Sequence, residues 1–262
     1  MNFVLTLFCL FSFLLIGVSS NLERHIELNS RTSISLRGPI NSFTTNKLLE
    51  KLTLYDEKEL NLFINSPGGS VMDGMKIVDQ LNTMKLQGVT INCISDFTAS
   101  MAFIIMQVCE NRLALNSAIL MQHQMSLGLR GNIYNLDNYF TFIKNIRDEL
   151  ETMQSKRIGM DKSMFIDKVM NDWWLSGFEA AKLNVIDEII HVSCHDDLIN
   201  SKDKLFIQTV YGDATLIYSG CPLLRSPKKI IWNNLDDNLK DLINSYLPEN
   251  YISNLSKLPL IP

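Results

Sequence analysis

No stripe of lysine and arginine runs through this sequence. Its 24 basic residues are outnumbered by 28 acidic ones, for a net charge of −4. A protein that holds nucleic acid by its phosphates needs the opposite balance. None of the five cysteines stands in a C-x-x-C pair, which argues against a structural zinc site. No Gly-Lys-Ser/Thr follows Pro67-Gly68-Gly69, so those glycines are not a Walker loop. Internal repeats and low-complexity tracts are missing as well. Histidine is limited to four positions, 25, 123, 191 and 195, which leaves few candidates for a general base.

What is present is apolar material. Hydrophobic residues make up 46% of 262, enough for a sizeable core in one domain with additions, or in two small ones. Residues 3–18 are a mostly apolar run ending in Val18, Ser19 and Ser20. That run is short for a membrane span, and the small residues suit signal-peptidase cleavage after Ser20. It therefore reads as a signal peptide, which predicts a secreted protein or one in a secretory-pathway lumen. The alternatives are an uncleaved membrane anchor at 3–18 and a buried helix. A mitochondrial transit peptide would be Arg-rich and amphipathic, and this segment is neither. Cys93 and Cys109 fall in apolar runs and read as buried thiols. Cys194 and Cys221 flank a polar stretch, where a disulfide is open if the protein is exported.

Strand and helix signals alternate at short intervals. Strands are expected at 32–40, 60–66, 89–95, 112–115, 118–124 and 186–192. Helices are expected at 43–54, 70–85, after Ser100, and at 133–158, 161–171 and 177–185. Such alternation predicts parallel β-α-β units in an α/β fold. Beyond Cys194 the character changes. Residues 204–220 read as a hairpin around Gly212-Asp213, and 233–247 as an amphipathic helix. Asn254-Leu255-Ser256 is a glycosylation pattern that matters only in a eukaryotic secretory route.

A few residues could carry chemistry. "INSPGGSVMDGM" (64–75) joins a strand to a helix through two glycines, a junction where backbone N–H groups can bind an anion or an oxyanion. An ordinary tight turn is the plainer alternative. Ser100 opens a helix after a second strand. Alone it reads as an N-cap; beside a base and an orienting acid it reads as a nucleophile. His123 ends a core strand, near where other strands end in Ser100 and Gly69. Asp172 precedes Trp173-Trp174 and could be an acid or the cap of a turn.

Taken together, "LFINSPGGSVMDGM", "TASMA", "HQ" and "DWWLSGFEAAKLNVIDEI" resemble the Clp protease proteolytic subunit family, from about Ile34 to Ile190. The resemblance implies a ClpP/crotonase-like β-α-β spiral core with a long interlocking helix. It also implies a serine endopeptidase with Ser100 as nucleophile, His123 as base and Asp172 as orienting acid. Gly69 and Met101 would supply the oxyanion N–H groups. No cofactor or metal is implied. Members stack seven-membered rings through the long helix, and in residues 133–158 Ile133, Leu136, Phe140, Ile143 and Ile146 form a compatible apolar stripe. Their usual partner is an ATP-driven unfoldase. An exported chain would lack both that partner and ATP, so cleavage of peptides or unfolded polypeptides without an ATPase is expected.

The chain departs from the family pattern at two points. Ala102 stands where a glycine usually follows Ser-Met. The spacing from Asn116 to His123 is one residue longer than usual, and a one-residue slip in a strand turns side chains over. Either Gln122 or His123 could therefore face Ser100; His123 is the favoured base, because a loop adjustment is already needed before Asn116. The rival readings are a non-catalytic structural or interaction subunit and a crotonase-like acyl-CoA enzyme. The expected organisation is 1–20 leader, 21–193 peptidase domain, and 194–262 an extension of uncertain fold.

Overall fold

The computed structural model describes residues 24–209 and 212–232. The leader expected at 1–20, the helix expected at 233–247 and the glycosylation pattern at Asn254 lie outside these residues. The elements follow in order: β1 (His25–Leu28), β2 (Ser33–Arg37), α1 (Ser42–Thr53), β3 (Glu59–Ser66), α2 (Val71–Leu86), β4 (Thr90–Ala99) and α3 (Met101–Gln107). Then come β5 (Asn111–Gln122), α4 (Ile133–Ile158), α5 (Lys162–Val169), β6 (Trp173–Ser176), α6 (Gly177–Lys182) and β7 (Glu188–Cys194). The chain continues through α7 (Asp196–Asn200), β8 (Lys202–Thr209), β9 (Gly212–Ser219) and β10 (Lys229–Trp232).

The central sheet runs β1-β7-β5-β4-β3-β2, every one of these pairs parallel, with β6 antiparallel on β5. Parallel strands need both faces covered, and β3 is accordingly buried from Leu60 through Ile64. One face carries Leu60, Leu62, Ile64 and Ile91 into a core shared with α1, α2 and α3. Phe63, Ile94, Leu113 and Ile190 project from the other face into a second cluster, closed by Leu198 and Cys221. The C-terminal region thus supplies the second cover. Its β10-β9-β8 sheet is antiparallel and reaches back to α1 through Lys47 to Asp203 at 2.6 Å and a Phe43–Phe206 ring contact.

Local signals start and stop the helices. Asn41 and Thr44 form a reciprocal capping box before α1, and Ser176 with Glu179 does the same before α6. Ser70 accepts from Asp73 N–H at the start of α2. Gly159 ends α4 at φ 76°.

Several expectations change. β4 runs on to Ala99, through the acidic stretch beyond residue 95, because Asp96 is absorbed at a register break and buried at 5% exposure. The two strands expected at 112–115 and 118–124 are one strand, β5. Ser95 pairs with Ala114 but Phe97 pairs with Ile119, so residues 115–118 bulge out of register. Thr209 pairs with Gly212, so Gly212 and Asp213 begin β9. Cys93 and Cys109 are not free thiols: they form a disulfide, as do Cys194 and Cys221. The apolar setting of the first pair signalled burial, while their contact depends on α3 folding back beside β4.

Arg112 holds the far end of this assembly. Its side chain is 1% exposed and pairs with Asp187. It also donates to Gln107 Oε1 and to Asn184 O, each at 2.9 Å. It thereby ties β5 to the ends of α3 and α6 and to the start of β7. Arg112→Ala leaves these acceptors without their donor. It should lower the unfolding free energy by about 3 kcal/mol, read from urea denaturation of the oxidised protein.

Candidate active site

Parallel β-α units bring strand C-termini to one edge, and the loops there collect the candidate residues. β3 leads into Pro67-Gly68-Gly69, β4 into Ser100, and β5 into His123. Ser100 N–H donates to Met121 O at 2.9 Å, pinning the end of β4 to β5. Ser100 occupies the N-cap position of α3 at φ 54° and ψ −122°, but its side chain makes no capping bond. A positive φ at a non-glycine residue is costly and persists where surroundings enforce it. Here the enforcement is α3, all seven residues of which are buried.

Gly68 shows how tightly the loops meet. A Cβ on Gly68 would lie 2.6 Å from both Ala99 O and Ser100 Cβ. The loop can rest against the serine only because no side chain intervenes. Gly69, at φ 143°, forms a bridge with Ile40, whose backbone bonds Gly68 O and Ser70 N–H. No backbone acceptor is assigned to the N–H of Gly69 or Met101 among the described residues. Both residues line the same cleft as Ser100 and His123, walled by Val71, Ile104, Phe165 and Val169.

His123 Nε2 lies 2.9 Å from Ser100 Oγ. Gln122 makes no hydrogen bond to Ser100 among the described residues: it is 3% exposed and its amide donates to Gln154 Oε1 on α4. The register question resolves through the bulge. After residues 115–118, Ala118, Leu120 and Gln122 point into the core, so His123 falls on the other side. Counting straight from Asn116 fails because Asn116 and Ser117 sit exposed within the bulge.

Asp172 is brought near without being joined. β5 and β6 pair Gln122 with Trp173, and His123 and Asp172 are the residues just beyond that last pair. No hydrogen bond links Asp172 to His123 among the described residues, and Asp172 is exposed. The remaining histidines lie elsewhere: His25 pairs with His191 between β1 and β7, and His195 caps α7 beside Asp197. Hydrogen bonds to Ser30 and His195 hold the Asp197 carboxyl far below the usual range. No sequence motif pointed to Gln154 or Arg147, which also line the cleft. Both lie on α4, whose placement over the site is a tertiary matter.

The profile of the Clp protease family matches residues 20–193. The ATP-dependent Clp protease proteolytic subunit of Deinococcus radiodurans is 30% identical over 178 residues, spanning 64% of this chain and 86% of that protein.

Gly68→Ala should cost about 1–3 kcal/mol of stability, because the added methyl strikes backbone at a strained φ. Gly88, at φ 83° with open space around it, is the control. Gly88→Ala should cost only its backbone strain, about 1 kcal/mol. Equal shifts in the two urea midpoints would contradict a close approach at Gly68.

Proposed function

Because the chain belongs to the Clp protease family, whose members are serine peptidases that form rings and act on proteins, we propose that it is a serine endopeptidase working through Ser100, His123 and Asp172. The observation that carries this reading is the 2.9 Å contact between Ser100 Oγ and His123 Nε2. It lies in a cleft that also contains Gly69 and Met101.

In the proposed reaction Ser100 Oγ bonds to the carbonyl carbon of the scissile peptide, and its proton passes to His123 Nε2. The carbonyl π pair moves onto oxygen, where the N–H groups of Gly69 and Met101 receive it. Each such donor is typically worth about 2.7–4 kcal/mol of barrier. Collapse breaks the C–N bond, and the amine leaves with the proton from His123. Water then attacks the acyl-enzyme, giving its proton to His123, and a carboxylic acid departs as Ser100 regains its hydroxyl proton. Asp172 would orient the imidazole by accepting from Nδ1.

The exposed apolar residues of α4, among them Ile133, Tyr134 and Phe140, support assembly into a homo-oligomeric ring. Two disulfides accord with an oxidising compartment and with the leader at 1–20. Such a location favours cleavage of peptides or unfolded chains without an ATP-driven partner. The rival reading, a non-catalytic subunit of the same fold, draws on the missing Asp172–His123 bond.

Fluorophosphonate labelling separates the two. The wild-type chain should be labelled and Ser100→Ala should not; a labelled Ser100→Ala would remove the assignment. Asp172→Asn should lower kcat about 10³–10⁴-fold on a fluorogenic peptide while leaving the fold intact. A purified wild-type protein that assembles yet neither labels nor cleaves would favour the non-catalytic subunit.

A further inference from the structure

Asp96 is a buried carboxylate on the strand that delivers the nucleophile. It is 5% exposed and sits where the β3–β4 and β4–β5 registers break. Its Oδ2 accepts from Asn65 Nδ2 at 2.6 Å, and its Oδ1 from Arg225 at 2.6 Å. Asn65 belongs to β3 and Arg225 to the C-terminal extension. Ser100 follows Asp96 by four residues, and Gly69 follows Asn65 by four. One carboxylate therefore clamps the two strands from which the nucleophile and an oxyanion donor emerge.

The clamp needs its cation. A buried carboxylate without a charged partner is expensive, and a neutral amide offsets only part of that. Arg37 lies within electrostatic reach of Asp96 and stacks on Tyr218, its ring 4.6 Å away. Arg225 is the residue in ion-pair contact among the described residues. Its own side chain is largely solvent-exposed, so nothing in the core requires an arginine there except Asp96. The segment bearing it is anchored nearby. Cys221 is bonded to Cys194, packs with Phe63 and Ile94 in the second core, and draws Leu223 against the same cluster.

We propose that Arg225 is a positioning residue: by neutralising Asp96, the disulfide-anchored extension sets the ends of β3 and β4 and so the spacing between Gly69 N–H and Ser100. The proposal rests on the serine-peptidase reading for its effect on rate. It also makes the extension part of the machinery of the site, although no extension residue lines the cleft among the described residues. Donors that stabilise an oxyanion act over tenths of an ångström, so a small slip of either strand suffices.

Four full-length oxidised variants test it: Arg225→Ala, Arg225→Lys, Arg225→Ala with Asp96→Asn, and Cys194→Ser with Cys221→Ser. The first readout is the rate constant for fluorophosphonate labelling of Ser100. Arg225→Ala should slow it at least tenfold, and the cysteine pair variant should do the same. Arg225→Lys should stay within threefold of wild type. The Arg225→Ala, Asp96→Asn double variant should recover to a similar level, because no buried charge is left unpaired. A purely structural salt bridge would shift the urea midpoint and leave the labelling rate of folded protein unchanged. That result, or a double variant as slow as Arg225→Ala, would overturn the proposal. The second readout is amide hydrogen exchange, which needs no activity. Exchange in Arg225→Ala should quicken in peptides covering 66–70 and 97–101 and stay constant in the C-terminal half of α4; unchanged exchange in those loops would overturn it. Were the wild type not labelled at all, the peptidase reading would fall, and exchange alone would decide the clamp.

Discussion

The backbone of Ser100 is the constraint around which the rest of the structure is organised. At φ 54° and ψ −122° a serine is held where its own preferences would not put it. Such a conformation costs about 1–3 kcal/mol. Burying a large apolar side chain returns about 1.5–3 kcal/mol, and α3 places Met101, Phe103, Ile104, Ile105 and Met106 in the core directly after the strained residue. Burial exceeds strain several-fold, so the helix that begins at the strained residue can hold it in place. The bare backbone of Gly68 against Ser100 completes the fit from the other side.

A serine set this way is only as precise as the strands that bear it. β3 and β4 lie in the middle of a parallel sheet, and their hydrophobic runs were plain in the sequence because both faces are buried. What covers the second face was not plain. Leu198 and Cys221 come from a region with no recognised pattern, and they meet Phe63 and Ile94 only through long-range folding. Composition reports that a residue is apolar; it does not report which distant segment will lie on it. The same limit explains the Cys93–Cys109 bond. Each cysteine sat in an apolar run, and that context is shared by a thiol and a disulfide.

The site was legible in a similarly uneven way. Gly69, Ser100 and His123 each follow a strand, and strand ends gather at one edge of a parallel sheet, so their meeting could be read from order alone. Asp96 could not. In the sequence it belongs to a short polar, acidic piece between the expected strand at 89–95 and Ser100. In the fold it sits inside β4, satisfied by Asn65 and by an arginine far along the chain. The bulge at 115–118 was equally hidden: alternation in "AILMQHQ" fixes which residues share a face, but the phase relative to Asn116 depends on residues that leave the ladder.

The balance between enzyme and inert relative now turns on distance instead of register. With His123 Nε2 2.9 Å from Ser100 Oγ and no bond from the Asp172 carboxylate to the ring among the described residues, the proposed nucleophile and base touch while the proposed orienting acid stands apart. The acid of such a triad is worth about 10⁴ in rate, or about 5.5 kcal/mol at about 1.36 kcal/mol per tenfold. Two oxyanion donors together are worth about 5–8 kcal/mol. The proposed oxyanion half is therefore at least as large a share of catalysis as the acid would add. It also depends on backbone alone, which the proposed carboxylate clamp near the C-terminal ends of β3 and β4 would hold steady. An exposed acid just ahead of a short strand can be gained or lost by a small movement, but a serine held at positive φ against a bare glycine cannot drift without disturbing the packing of α3.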